Sequence, residues 1–123
     1  MAWNLSSDRP IYTQILEKIQ TQIIAGIYKP GERLPSVREL AAQASVNPNT
    51  MQKAFTELER SGLIQTQRNS GRTVTEDTDM IKQIQTQAAL SQVQSFFNTM
   101  TELGFNKDEI LAFVQKAIEE GAE

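Results

Sequence analysis

Two short amphipathic helices, separated by only a few residues, constrain this chain more than any other feature. Ser36 followed by Glu39 has the spacing of a capping box and predicts the start of one helix. Asn47 and Pro48 suit an N-cap and a first helical position, so they predict the start of the next helix, which Gly62 ends. Apolar residues at helical spacing give each helix one inner face: Val37, Leu40, Ala41 and Ala44, then Met51, Ala54, Phe55 and Leu58. Two helices joined by so tight a turn form a helix-turn-helix unit.

The flanking segments complete a small domain around this unit. Residues 1–10 are interpreted as a polar lead-in, and a first helix is predicted from Pro10 to about Gly26. After Gly62 the residues become β-prone at 63–67 and 72–75, with a glycine in the loop between them. A hairpin that directly follows the third helix is a wing. The sequence therefore predicts a mainly α fold with a small β-hairpin, a winged helix-turn-helix domain over residues 1–76.

The remaining residues, 77–123, predict a two-helix tail. One helix runs from Thr78 to Leu103, and Asn106 with Glu109 has capping-box spacing for the last one. Two helices alone cannot enclose all of their apolar residues, so we expect a dimerisation segment, although the phenylalanines of the tail can also line an effector pocket. The residues expected at the dimer interface are Ile84, Val93, Phe96, Phe97, Met100, Leu103, Ile110, Phe113 and Val114.

Composition narrows the classes of function. The chain of 123 residues has no cysteine and no histidine, which removes disulfides, thiolate metal sites and the commonest general base. We therefore expect no enzyme activity, no cofactor and no metal site, and the lack of an apolar run long enough for a membrane span favours a cytoplasmic protein. The net charge of −3 hides an asymmetry: residues 1–76 carry nine basic and seven acidic residues, whereas residues 77–123 carry three and eight.

The charge pattern around the helix-turn-helix unit favours nucleic acid as the partner. No acidic residue occurs between Leu40 and Thr56. A recognition helix docks in the major groove of DNA with its N-terminal residues at the base edges, where Asn and Gln can pair with adenine and Thr can touch a thymine methyl group. Arg38 can reach phosphate, and the wing tip can reach the backbone or the minor groove. The candidate DNA-binding residues are Arg38, Asn47, Pro48, Asn49, Thr50, Gln52, Lys53, Arg68, Ser70, Gly71 and Arg72.

Simpler interpretations of these residues remain open at this point. Asn47 and Pro48 can act as a helix cap alone, and Arg38 can pair with a nearby carboxylate at the surface, where such pairs contribute only about 0–1 kcal/mol. The arginines at the hairpin tip can simply be solvated.

Three motifs resemble the GntR family of regulators, and together they span roughly residues 10–75. They are Leu34-Pro35-Ser36-Val37-Arg38-Glu39-Leu40-Ala41, then Val46-Asn47-Pro48-Asn49-Thr50, then Gly62-Leu63-Ile64 with Ser70-Gly71-Arg72-Thr73-Val74. The short helical tail is similar to the YtrA subfamily, in which such a tail serves mainly for dimerisation.

The resemblance implies DNA contacts at Arg38, Asn47, Asn49, Thr50, Ser70, Gly71 and Arg72. Pro48 or Gln52 stands where a recognition-helix arginine is common in the family, which argues against guanine readout.

These observations predict a sequence-specific DNA-binding transcriptional regulator. We expect a homodimeric repressor of a palindromic double-stranded DNA operator, and the resemblance implies control of a transporter operon. The alternative is a winged-helix module for protein contacts, with the acidic tail as its docking surface. The sequence identifies neither an effector nor an operator.

Overall fold

The computed structural model describes residues 3–68 and 71–121 and confirms the mainly helical fold with a two-stranded hairpin. Helices α1 to α3 come first, followed by the hairpin and then by two further helices. Their bounds are α1 (Ile11–Ile24), α2 (Val37–Ala44), α3 (Pro48–Ser61), β1 (Ile64–Gln67), β2 (Gly71–Val74), α4 (Thr78–Glu102) and α5 (Lys107–Gly121). β1 starts one residue later than predicted, β2 starts and ends one residue earlier, and α4 ends one residue before Leu103.

Side-chain caps fix the starts of three helices where the sequence predicted them. In α2, the Glu39 N–H donates to Ser36 Oγ over 3.1 Å, and the Ser36 N–H donates to Glu39 Oε1 over 2.9 Å. In α5, Asn106 and Glu109 form the same reciprocal pair, with both bonds at 2.9 Å. Asn47 caps α3. Because these bonds satisfy backbone donors that a helix leaves unpaired, each cap favours its helix start over competing ones.

The hairpin continues into a third extended segment that the sequence did not predict. Strands β1 and β2 pair antiparallel, with Thr66 opposite Arg72. On the other edge of β2, Arg33 forms an isolated antiparallel bridge with Thr73. The Leu34 N–H donates to the Arg72 carbonyl over 2.8 Å, and the Val74 N–H donates to the Glu32 carbonyl over 2.9 Å. The wing is thus tied to the chain segment just before α2.

One hydrophobic core lies beneath α1, α2, α3 and the hairpin, and α3 contacts both other helices and β1. Its buried members are Ile15, Ile19, Ile23, Leu34, Leu40, Ala41, Ala44, Met51, Ala54, Phe55, Leu58, Leu63, Ile64 and Val74. The prediction of a polar lead-in is wrong in part, because Trp3 and Leu5 also pack against this core. The buried Gln14 side chain holds the segment before α1 in place. It accepts a hydrogen bond from the Ser6 N–H and donates to the Ser6 and Arg9 carbonyls.

The chain divides into two compact units, Met1–Gln85 and Thr86–Glu123. The division follows residue 85 rather than residue 76, because Met80, Ile81 and Ile84 at the start of α4 pack against the core of the first unit. Ile84, which we expected at a dimer interface, thus lies against the core of its own chain.

The second unit buries little of its own apolar surface. Among its described residues, 86–121, only Ile110 is buried. Phe105 and Phe113 pack edge to face, with their ring centroids 4.9 Å apart. Several large apolar side chains remain exposed, among them Val93 at 60% and Leu111 at 57%. An apolar surface of this kind is unusual on an isolated soluble unit.

The turn after α3 gives a test of the packing in the first unit. Gly62 has φ +91°, and a Cβ built there would lie 3.2 Å from Met80 Cε. Gly26 has φ +83° with nothing within 4 Å of the same position. Left-handed backbone costs a non-glycine residue about 1–2 kcal/mol, so Gly26→Ala should lose about that much free energy of unfolding. Gly62→Ala should lose more, because Met80 must move as well.

Urea unfolding of the full chain measures both variants, since the fluorescence of Trp3, the one tryptophan, reports on the first unit. Equal losses in the two variants would mean that the contact between α3 and α4 at Met80 is absent or soft.

Candidate nucleic-acid interface

The N-terminal half of α3 carries an exposed polar surface because its other face is fixed in the core. Met51, Ala54 and Phe55 are each 0% exposed. With this stripe turned inward, the helical period turns the intervening side chains outward. Of the residues predicted to contact DNA, Asn47, Pro48, Asn49, Gln52 and Lys53 are exposed and Thr50 is half-buried.

Asn47 has a structural task at this end of the helix. Its Oδ1 accepts the Asn49 N–H over 2.7 Å, and its backbone carbonyl accepts the Thr50 N–H over 3.0 Å. Pro48 follows at a position where the missing N–H costs nothing. The Asn47 cap therefore fixes the direction in which Asn49 and Thr50 leave the core.

Lys53 does not extend freely from α3. Its Nζ lies 4.0 Å from the centroid of the Tyr12 ring on α1. A cation over an aromatic face is stabilised by about 0.5–1 kcal/mol at exposed sites, which narrows the range of positions that Nζ occupies. Tyr12 was not predicted at this surface, because no local spacing indicates that it lies beside Lys53.

An open cleft of about 610 Å³ runs between the starts of α2 and β2 and the middle of α3. Three arginines line it: Arg38 from α2, Arg72 from β2 and Arg33 from the segment beside β2. Arg38 was predicted as a phosphate contact and is exposed. Arg33 was missed, because its position beside the wing depends on the bridge to Thr73 and not on any helical spacing. Only its place directly before the Leu34-Pro35-Ser36 motif could have drawn attention to it.

Arg72 contacts two residues of α3. Its Nε donates to Glu59 Oε1 over 3.2 Å, and its guanidinium carbon lies 5.2 Å from the centroid of the Phe55 ring. Glu59 Oε2 also accepts from the Thr66 hydroxyl on β1. Arg72 and Glu59 are about three-quarters buried, with side-chain exposures of 25% and 29%. The wing is therefore attached to α3 through both of its strands.

The wing tip is described in part. Arg68 is exposed, and Gly71 begins β2 with φ +71°. A Cβ built on Gly71 would lie 3.6 Å from Arg33 Nε, so Arg33 passes close to the wing backbone. The predicted contact residue Ser70 lies outside the described residues.

The pKa values of two ionisable groups at the cleft are shifted by their surroundings. The hydrogen bond from the backbone of Ser36 lowers the pKa of Glu39, with smaller effects from the Ser36 side chain and from the charge of Arg33. Burial raises the pKa of Tyr28, and the negative charge of Glu32 adds to that effect. At neutral pH, Glu39 is therefore ionised and held in its capping box, while Tyr28 keeps its hydroxyl proton.

Within residues 3–68 and 71–121, no cluster of acidic residues has the arrangement of a metal site. In the same described ranges, no helix combines the length and apolarity that a membrane crossing requires.

The fold and the exposed end of α3 define a winged helix-turn-helix DNA-binding transcriptional regulator, a class of protein that is not an enzyme. Residues 11–74 match the family model described as bacterial regulatory proteins, gntR family. The chain belongs to the GntR family.

Similar proteins share this architecture. The uncharacterized HTH-type transcriptional regulator YhcF of Bacillus subtilis is 36% identical over 115 residues, which cover 94% of this chain and 95% of YhcF. The HTH-type transcriptional repressor YtrA of the same organism is 49% identical over 71 residues, which cover 58% of this chain and 55% of YtrA. A GntR family transcriptional regulator from Listeria monocytogenes has a solved structure with a TM-score of 0.85 and 42% identity, covering 91% of this chain and 98% of that one. The expected resemblance to YtrA-like regulators of the GntR family is thereby confirmed.

The assignment of the α3 cap to Asn47 can be tested by measuring the stability of substituted chains. Asn47→Ala should lower the free energy of unfolding by about 1 kcal/mol, because the Asn49 N–H loses its acceptor. Asn47→Asp should stay near wild type, since a carboxylate caps equally well, and Asn49→Ala should also stay near wild type because that side chain is exposed. Urea unfolding followed by Trp3 fluorescence measures all three. A loss in Asn49→Ala equal to that in Asn47→Ala would contradict the assignment of the cap to Asn47.

Proposed function

We propose that the chain is a homodimeric repressor that binds a palindromic operator, with the N-terminal half of α3 in the major groove and the wing against the DNA backbone. The observation that carries this proposal is the sidedness of α3. Its apolar residues are fully buried, and in its N-terminal half, residues 48–54, the opposite face presents Asn49, Gln52 and Lys53 to solvent without a carboxylate. A major groove about 12 Å wide accepts a helix in this orientation.

Base readout would come from Asn49, Thr50 and Gln52. The amide groups of Asn and Gln can each donate to and accept from one adenine edge, and the Thr methyl group can contact thymine. Pro48 or Gln52 stands where the resemblance to the GntR family would place a guanine-reading arginine, and neither side chain carries a guanidinium. The proposal therefore includes an operator whose half-sites are read mainly at A·T pairs.

Phosphate contacts would come from Arg38, Lys53, Arg68 and Arg72, with Ser70 and Gly71 at the wing tip. Arg38 and Arg72 line one cleft, so both are available to the same stretch of DNA backbone. Phosphate contacts hold a protein in register but carry no sequence information. We add Arg33 to this group, because it lines the same cleft.

Dimerisation would use the second unit. Two apolar grooves of about 580 and 610 Å³ flank its helices, and their lining includes Val93, Phe96, Phe97, Met100, Ile110, Phe113 and Val114. Leu103 is 67% exposed. A second copy of this surface would cover what the chain itself leaves open. Two-fold symmetry of the dimer would then correspond to a palindromic operator.

Repression, the genes that are controlled and the cellular compartment are the parts of the proposal that rest on similar proteins. YtrA of Bacillus subtilis is described as a repressor, which supports repression here. Control of a transporter operon, and action in the cytoplasm where the operator would lie, rest on the resemblance to the YtrA subfamily.

Substitutions should separate base readout from phosphate binding. Selection from random-sequence duplexes first identifies the operator. Asn49→Ala and Thr50→Ala should then relax sequence preference, Asn49→Ala by about 1–3 kcal/mol for the bidentate pair lost and Thr50→Ala through the lost methyl contact. Arg38→Ala should weaken binding to all sequences and reduce the dependence of affinity on salt. The measurement is fluorescence anisotropy with the operator and an unrelated duplex at several salt concentrations.

If selection recovers no sequence, or if neither α3 variant changes the preference, base readout by this helix is refuted. The winged domain would then act as a protein-contact module.

The dimer interface can be tested by placing a charge at residues of similar exposure in the two units. Val93→Asp and Leu111→Asp should convert the full chain from dimer to monomer, because a carboxylate would be buried without a partner. Ile27→Asp is the control, since Ile27 is 63% exposed but lies in the first unit. Sedimentation velocity at micromolar concentration measures the mass. A monomeric wild-type chain, or a dimer that survives both tail substitutions, would contradict the assignment.

Operator affinity should fall together with dimerisation. A linked second half-site is bound at an effective concentration of about the millimolar range, which the monomer loses.

A further inference from the structure

The carboxylate of Glu59 joins three elements of the first unit. It lies near the end of α3, binds the Thr66 hydroxyl on β1 through Oε2 and receives Arg72 Nε from β2 through Oε1. Thr66 and Arg72 are opposite each other in the register of the hairpin. One side chain therefore attaches the recognition helix to both strands of the wing at the same rung.

Arg72 is held in a way that leaves its outer donors available. Its Nε is bound by Glu59, and its guanidinium carbon lies 5.2 Å from the centroid of the Phe55 ring, which is itself 0% exposed. In the described part of the chain, Nη1 and Nη2 donate to no protein acceptor. The contacts with Glu59 and Phe55 restrict the rotation of the guanidinium. Its remaining N–H donors can therefore bind a phosphate with a small further loss of side-chain entropy.

We propose that Glu59 is a positioning residue for DNA binding: it fixes the wing and the guanidinium of Arg72 against the recognition helix, so that Arg72 meets a DNA phosphate already oriented. This inference rests on the proposed wing contact with DNA. It assigns a favourable role to an acidic residue at a DNA-binding surface, where a carboxylate would ordinarily repel the phosphate backbone.

The sign of the effect separates positioning from simple charge. Glu59→Gln removes one negative charge and the ion pair with Arg72, yet it should weaken operator binding by about five-fold, because Arg72 must now be ordered on binding. Glu57→Gln is the matched control. Glu57 lies two residues earlier on α3 and pairs with Arg60 over 3.1 Å at the surface, away from the wing. Its neutralisation should leave affinity unchanged or slightly raise it.

A double-mutant cycle distinguishes positioning from a general loss of structure. In the Arg72→Ala background, Glu59→Gln should no longer weaken binding, because the group that it positions is gone. A merely structural role of Glu59 would weaken binding equally in both backgrounds. Anisotropy titrations of the full chain with the selected operator at fixed salt provide the affinities.

Arg72→Lys gives a second test should Glu59→Gln fail to fold. Lysine keeps the charge but loses the Nε donor and the planar face, so its affinity should fall nearly to that of Arg72→Ala. Retained affinity in Arg72→Lys would show that charge alone suffices and would overturn the positioning role.

The possible outcomes identify which statement fails. Wild-type affinity in Arg72→Ala refutes the contact of Arg72 with DNA, and the positioning role fails with it. Weak binding by Arg72→Ala together with unchanged or tighter binding by Glu59→Gln refutes the positioning role alone, since Glu59 would then compete with the phosphate for Arg72.

Discussion

Burial of one face of α3 is the constraint on which the rest of the first unit depends. Met51, Ala54, Phe55 and Leu58 are at most 1% exposed, and α1, α2 and β1 all contact the helix that carries them. Burying a large apolar side chain contributes about 1.5–3 kcal/mol, so rotating α3 about its axis would cost far more than any surface contact returns. The same packing that stabilises the domain therefore fixes which α3 residues face outward. Stability and the orientation of the DNA-facing residues have one origin.

The acidic residues near this surface are arranged so that they do not oppose nucleic acid. Glu39 is engaged in the capping box of α2, Glu57 pairs with Arg60, and Glu59 is bound to the wing. The negative charges of Glu57 and Glu59 are each offset by an arginine, and Glu39 is held by a backbone N–H. This arrangement explains how a chain with a net charge of −3 can present a basic cleft, because association with phosphate depends on nearby charges rather than on the total.

The features that the sequence predicted and those that it missed differ in the range of the interactions involved. The starts of α2, α3 and α5 follow from caps made between residues three or fewer positions apart, such as Asn106 with Glu109. The pairing of Arg33 with Thr73 and the contact of Arg72 with Glu59 join distant positions. No local spacing encodes such contacts, because they exist only once the core has brought α3 and the wing together. The same reason explains why the packing of Trp3 and the part played by Tyr12 in holding Lys53 were not foreseen.

In the proposed function, α3 of a single chain supplies too little binding free energy to select an operator, so the first unit needs the second to bring two copies together. Asn49, Thr50 and Gln52 are the α3 side chains suited to base edges, and each good bidentate pair discriminates by about 1–3 kcal/mol. Specific binding generally exceeds non-specific binding by about 4–10 kcal/mol, and the two amide side chains, Asn49 and Gln52, reach that range only with well-formed pairs because Thr50 cannot form a bidentate pair. A second copy doubles the set of base contacts, provided that something holds the two copies together. The exposed apolar surface of the second unit, including Val93 and Leu111, offers a physical means of doing so. In the proposed dimer, the uncovered apolar surface would thus join two copies of a DNA-reading helix that is too short to be selective alone.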